Sequence, residues 1–378
     1  MVLRHALSGS DATVGTVAFH GGLNGVSVDN YEEPVRTGVL ILTGGKDTSD
    51  STKSVIDIER ALNKGDVNVE DRPGWELTRY SDVEHGFTNF ESPVYNERVD
   101  RRSWESTRTF LADRFGAEAT PFACLDGEAA SAEVVNYVDA DGTALRGHAR
   151  FPTHSPSKDT DLDVLIPAVV IVHDYGQELF HTCSVVESLG YVGFAADIFG
   201  ADFETADYPS LRETLLADGN ALLEQRISAA IEAVKALPGV DPEKVALFGY
   251  GLGGTSVIDY ALSGQDGAAA VVSFHGRLSD AATAGGSGIS TELNAEVLIL
   301  SGGGEGQSVE LERLEGVMEA ADAPAAAWEY TRYSEARGGF TDIDLDSGKW
   351  YDEGADIRSL ASARAFLTET FSEGGDQG

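Results

Sequence analysis

Short, almost wholly apolar runs recur along the chain between stretches with helical spacing. Val39-Leu-Ile-Leu42, Ala168-Val-Val-Ile-Val172, Val245-Ala-Leu-Phe248 and Val297-Leu-Ile-Leu300 are of this kind. Runs this short and this apolar suit strands buried on both faces of a sheet. The first third predicts strands at about 14–19, 38–43 and 75–80, with helices at about 51–63 and 103–115. Farther on, Glu133-Val-Val-Asn-Tyr-Val138 and Ala144-Leu-Arg-Gly-His-Ala-Arg150 predict a hairpin around Asp141-Gly142, a pair suited to a tight turn. Helices at about 178–189, 209–236, 254–264 and 307–320 then alternate with the apolar runs. The alternation predicts an α/β fold, a doubly wound and mainly parallel sheet with helices on both faces.

The pattern also repeats. Ala6-Leu-Ser-Gly9 recurs as Ala261-Leu-Ser-Gly264, and Ala18-Phe-His-Gly21 as Ser273-Phe-His-Gly276. Val39-Leu-Ile-Leu-Thr-Gly-Gly45 recurs as Val297-Leu-Ile-Leu-Ser-Gly-Gly303, Thr78-Arg-Tyr-Ser81 as Thr331-Arg-Tyr-Ser334, and Gly86-Phe-Thr88 as Gly339-Phe-Thr341. Arg102, Ser103, Arg108, Phe110 and Leu111 match Arg358, Ser359, Arg364, Phe366 and Leu367. Matches in this order predict that residues 1–117 copy the C-terminal half of a complete domain at 132–373, with a linker at 118–131 and a disordered tail at 374–378. Met1 aligns with Ser256, so the first copy begins about five residues past the point where its own strand-to-helix turn would fall. Half a doubly wound sheet leaves an open strand edge. Two explanations are expected: an N-terminally truncated reading of a longer protein, or docking of the half-copy on the full domain or another chain, self-association included.

Composition narrows the partners. The formal net charge of −36 is spread through the chain, which argues against nucleic acid and anionic membrane as partners. A solvated acidic surface or adaptation to salt would account for it. No run of apolar residues is long enough to span a membrane, and the first residues lack the apolar core of a secretory signal. A cytoplasmic protein is the expectation. Cys124 and Cys183 offer neither a disulfide framework nor metal-ligand spacing. No metal or organic cofactor is implied.

The candidate chemistry centres on Val245-Ala-Leu-Phe-Gly-Tyr-Gly-Leu-Gly-Gly-Thr255. Gly249, Gly251 and Gly254 satisfy the G-x-G-x-x-G dinucleotide turn. That reading wants an acidic residue at the end of the next strand, where His275 and Gly276 stand instead. The same residues fit a nucleophile elbow, in which a side chain projects from a tight strand-to-helix turn.

With the apolar strand ending His173-Asp-Tyr-Gly176 and the stretch Gly190-Tyr-Val-Gly-Phe-Ala-Ala-Asp-Ile-Phe-Gly200, this elbow resembles the dienelactone hydrolase family of α/β hydrolases over residues 132–372. The resemblance implies a triad of nucleophile, acid and histidine, with the nucleophile, Cys or Ser, at the position held here by Gly251. In the first copy it puts the acid at Asp47 and the base at His85, with the nucleophile upstream of Met1. In the full copy the equivalent positions are Gly251, Glu305 and Gly338, a degenerate triad in which only an acid persists. Backbone donors for an oxyanion are implied at Leu252 and Tyr175. The expectation is a lactone or small carboxylic ester hydrolase by family, weakly active or inactive as this chain stands. The alternative is a non-catalytic module for binding or assembly.

Other residues read more plainly. His173 and His275 end apolar strands and are expected to line the core or a pocket. His181 and Cys183, two apart on a helix, would point away from each other. Arg337 is either a solvated loop residue or a carboxylate anchor.

Overall fold

The computed structural model describes residues 2–24, 34–63, 74–116, 132–152, 165–173, 182, 185, 186, 188–203, 207–277, 290, 293–303, 308–320, 328–342 and 350–373. In chain order these form α1 (Val2–Leu7), β1 (Gly15–Phe19), β2 (Gly38–Gly44), α2 (Thr52–Leu62), β3 (Trp75–Tyr80), α3 (Glu97–Arg114), β4 (Glu133–Val138), β5 (Ala144–Arg150), β6 (Ile166–Val172) and β7 (Val192–Ala195). There follow α4 (Tyr208–Leu215), α5 (Ala221–Lys235), β8 (Val240–Tyr250), α6 (Leu252–Leu262), β9 (Ala270–Phe274), β10 (Glu296–Gly302), α7 (Ser308–Ala320), β11 (Trp328–Tyr333) and α8 (Glu353–Glu373). The predicted linker and tail lie outside the described residues.

Contacts divide the chain into two compact units along lines that differ from the sequence boundaries. The first holds residues 1–119 together with 298–316 and 327–366. Its strands run in the order β1-β2-β3-β11-β10. β1 and β3 flank β2 in parallel, and β3 pairs antiparallel with β11, Thr78 opposite Thr331.

The β3–β11 pairing is reciprocal in its detail. Trp75 N donates to Ser334 Oγ at 2.6 Å and Trp328 N to Ser81 Oγ at 2.9 Å. Arg358 Nε reaches Glu76 at 3.1 Å, and Arg102 reaches Glu329 at 3.2 Å. Arg332 pairs with Glu59 at 2.9 Å, and Arg79 pairs with Glu315. Each link from one stretch is returned from the other, the pattern of a two-fold contact between like surfaces. The Arg358–Glu76, Arg102–Glu329 and Arg332–Glu59 pairs are buried, so each of these charges depends on its partner. Burial pushes the Glu76 carboxyl up to about 7, against the pull of Arg358. Leu40, Leu42, Tyr80, Phe87, Val99 and Phe110 form an apolar core beside them.

The second unit holds residues 120–297, 317–326 and 367–378, with strand order β9-β8-β6-β7-β5-β4. β9, β8, β6 and β7 are mutually parallel, β5 pairs antiparallel with β7, and β4 pairs antiparallel with β5. The architecture is the mainly parallel α/β sheet that the alternation predicted.

Several boundaries depart from expectation. α3 begins six residues before the predicted 103, because Asn96 caps it by accepting a bond from Val99 N at 3.0 Å. The polar first turn hid that start from a reading by apolar spacing. The predicted helix at 209–236 is broken: α4 ends at Leu215, a short 3-10 turn follows over Ala217–Asn220, and Asn220, left-handed with φ 69°, separates that turn from α5. The elbow helix starts two residues before the predicted 254. The β4–β5 connection spans residues 139–143, with Asp139 Oδ1 accepting from Asp141 N and Thr143 N, so the pair Asp141-Gly142 lies inside a wider loop. Most of the predicted helix at 178–189, with His181 and Cys183, lies outside the described residues.

Candidate active site

Asp47 and His85 come together in the first unit. β2 is buried along its whole length, and its apolar run delivers the chain into a turn at Gly44-Gly45 that carries Asp47. β3 delivers the next loop, with His85, beside it. His85 Nδ1 lies 2.8 Å from Asp47 Oδ2, with the Asp47 side chain buried and the imidazole 57% exposed. Burial works against the charge on Asp47, but bonds from Ser49 Oγ at 2.6 Å and Ser49 N at 2.8 Å, with that from His85, hold its carboxyl below the usual range. The ionised carboxylate therefore accepts from Nδ1–H, which leaves Nε2 as the proton acceptor on the exposed side.

Sequence reasoning missed the neighbours. His20 lies edge-on to His85 with ring centroids 5.1 Å apart, and its Nε2 is 2.9 Å from Thr88 Oγ1. Burial, and then the nearby His85, lower the pKa of His20, so this second ring favours its neutral form. Ser49 shows a signal in retrospect: an Asp followed two residues on by a hydrogen-bonding group is the mark of an Asx turn. His20 was visible only as part of the Phe-His-Gly repeat.

In the second unit Gly251 joins β8 to α6 with φ 56° and ψ −114°. This is a region in which side chains are strained, and it is the geometry of a sharp strand-to-helix turn. Packing is close: a Cβ added at Gly253 would stand 1.9 Å from the Val172 carbonyl oxygen. Leu252 opens the helix and is buried. Gly251 N donates to His275 Nδ1 at 3.2 Å. His173 is buried, with Nε2 3.1 Å from Ala196 O, as expected of a core histidine. Gly338 lies in the turn after β11, in the first unit, where an added Cβ would meet nothing within 4 Å. Arg337, beside it, stands 5.4 Å from the Trp350 ring, a cation–π contact. Glu305 and Tyr175 lie outside the described residues. Among the described residues no group of three or more His, Cys, Asp or Glu could hold a metal ion, and no helix is long and apolar enough to cross a membrane.

A mainly parallel sheet with a sharp strand-to-helix turn at Gly251 has the form of the α/β hydrolase class. Within it, the family model for dienelactone hydrolases matches residues 1–115 and 158–371, and the chain belongs to that family. An uncharacterized protein of Caenorhabditis elegans, K02A2.1, is 32% identical over 162 residues, which cover 42% of this chain and 99% of that protein. A dienelactone hydrolase-like promiscuous phosphotriesterase from metagenomic libraries shares the fold with a TM-score of 0.54 and 24% identity, covering 64% of this chain and 98% of that one. The structure named m3DLH matches with a TM-score of 0.52 and 23% identity, again over 64% of this chain and 98% of its own.

Proposed function

We propose that Asp47 and His85 act as acid and base in the hydrolysis of a small carboxylic ester or lactone, and that the domain at 132–373 has lost its own catalysis. The observation that carries this reading is the 2.8 Å contact between His85 Nδ1 and the buried Asp47 carboxylate. It fixes the tautomer in which Nε2 can take a proton from an attacking hydroxyl, thiol or water and return it to the leaving oxygen. Asp47, held ionised, stabilises the imidazolium between the two transfers. Two stretches matched by one family model, 1–115 and 158–371, agree with a tandem origin for the chain.

Gly251 and Gly338 favour the second reading for the 132–373 domain, a pocket that binds without reacting. A glycine at the elbow has nothing to attack with, and a glycine in the histidine loop nothing to accept a proton. Hydrolysis of p-nitrophenyl acetate separates the readings. Asp47→Asn and His85→Ala are each expected to lower kcat/KM at least about 100-fold, with folding unchanged by circular dichroism. If the chain hydrolyses the ester no faster than buffer, or His85→Ala leaves the rate intact, the pair is structural and the binding reading takes its place.

A further inference from the structure

The outer edge of β1 has no strand beside it among the described residues and is related residue by residue to an edge that is covered elsewhere in the same chain. β1 stands at the end of the strand order, paired among the described residues with β2 alone, and Gly15, Val17 and Phe19 along one face are only half-buried. Around it Val2 is 47% exposed, Val14 56%, Trp104 58% and Phe115 70%. By the repeat, β1 corresponds to β9, whose five residues are all buried. Val2 corresponds to Val257 and Phe115 to Phe371, which are 0% and 6% exposed. β9 owes its cover to β8, which lies parallel to it with Ala246 opposite Ala270 and Tyr250 opposite Phe274. Phe371 packs edge-on against Tyr191, ring centroids 5.7 Å apart.

We infer that the β1 edge is a docking surface for a half-domain with the fold of residues 133–250, whose last strand lies parallel to β1 as β8 lies beside β9. The histidines after the two strands add a second, independent argument. His20 and His275 share an unusual positive φ, 35° and 44°. His275 accepts a hydrogen bond from the elbow residue Gly251 N. A half-domain docked on β1 in the same register places its elbow against His20, whose ring is 5.1 Å from that of His85. An elbow serine or cysteine would then lie beside the Asp47–His85 pair. This last step rests on the function proposed above, whereas the docking rests on the edge alone.

The test repeats residues 132–255 ahead of Met1 in the full chain, with Gly251→Ser in the added segment. Docking predicts that acrylamide quenching of Trp104 fluorescence, isolated by comparison with Trp104→Phe, falls several-fold relative to the unextended chain. Hydrolysis of p-nitrophenyl acetate is expected to rise and then to lose about 10²–10⁴-fold in His85→Ala. Protection of Trp104 without a gain in hydrolysis would keep the docking surface and overturn the acid–base reading. Unchanged quenching in a folded fusion overturns the docking. So does an unextended chain that already protects Trp104 as a dimer in sedimentation, because a second copy would then be the occupant. Should the fusion fail to fold, the same segment co-expressed as a separate chain is read by the same quenching, and no protection there also overturns it.

Discussion

The loops after β3 and β11 have the same backbone and opposite chemistry. Gly86 and Gly339 turn with φ of 88° and 87°, and each accepts a bond three residues on, from Asn89 N and Asp342 N, both at 2.9 Å. Phe87 and Phe340 are both fully buried, and their carbonyls accept from Asn96 N and Asp352 N at 3.0 Å. Yet the residue before the turning glycine is His85 in one loop and Gly338 in the other. The loop is therefore held by backbone bonds and one buried ring. The imidazole contributes little to its shape, so the histidine could be exchanged for glycine without loss of fold.

The comparison breaks most sharply where the two stretches join. Arg358 is buried against Glu76 and lies 2.6 Å from Asp113. Arg358→Ala leaves Glu76 buried without its strongest partner and is expected to cost about 3–5 kcal/mol in urea unfolding. The cost should be smaller at pH 5 than at pH 8, since a carboxyl already raised to about 7 can neutralise itself by taking up a proton. Equal losses at the two pH values would mean that Glu76 is not the group left exposed to the loss.

At the elbow a smaller effect is expected. Gly251→Ser places a side chain at φ 56° and should lower stability by about 1–3 kcal/mol. It should also confer no esterase activity that depends on the 132–373 domain, because Gly338 supplies no base. Activity gained by this variant alone would overturn the view that the domain has lost two members of its triad.

The Tyr351–Asp356 contact, at 3.3 Å, offers a pH test. Burial, with Asp352 and Glu353 nearby, pushes Asp356 up to about 7. A carboxyl whose folded pKa is raised binds more protons in the native state, so its contribution is full below pH 4 and is lost as pH rises toward 7. Asp356→Asn should therefore raise the unfolding free energy at pH 8 by on the order of 1 kcal/mol and leave it little changed at pH 4. The smallest effect is expected of Gly338→His, within about 0.5 kcal/mol, since a Cβ there meets open space. A larger loss would show that the shared backbone of the two loops hides a difference in packing.

Much of this was legible in the chain. The apolar run Val39–Leu42 declared a buried strand because few other elements are so short and so apolar. Asp47 and His85 were singled out by the resemblance to the dienelactone hydrolase family, and the structure brings them within hydrogen-bonding distance. What the sequence concealed were features without an apolar signature. The polar first turn of α3, the left-handed break at Asn220, and Ser49's support of Asp47 depend on individual hydrogen bonds or single dihedral angles, which no periodicity reports.

By itself, then, the sequence determined most of the strand and helix order and the recurrence of short residue patterns along it, which follow from local residue types and their spacing. Tertiary structure decided which distant groups meet. That Glu76 answers Arg358, that Glu329 answers Arg102 and that His20 stands against His85 are matters of pairing across more than 60 residues of chain. Such pairings are chosen by burial and charge together, and neither can be read from a position without the neighbours that folding brings to it.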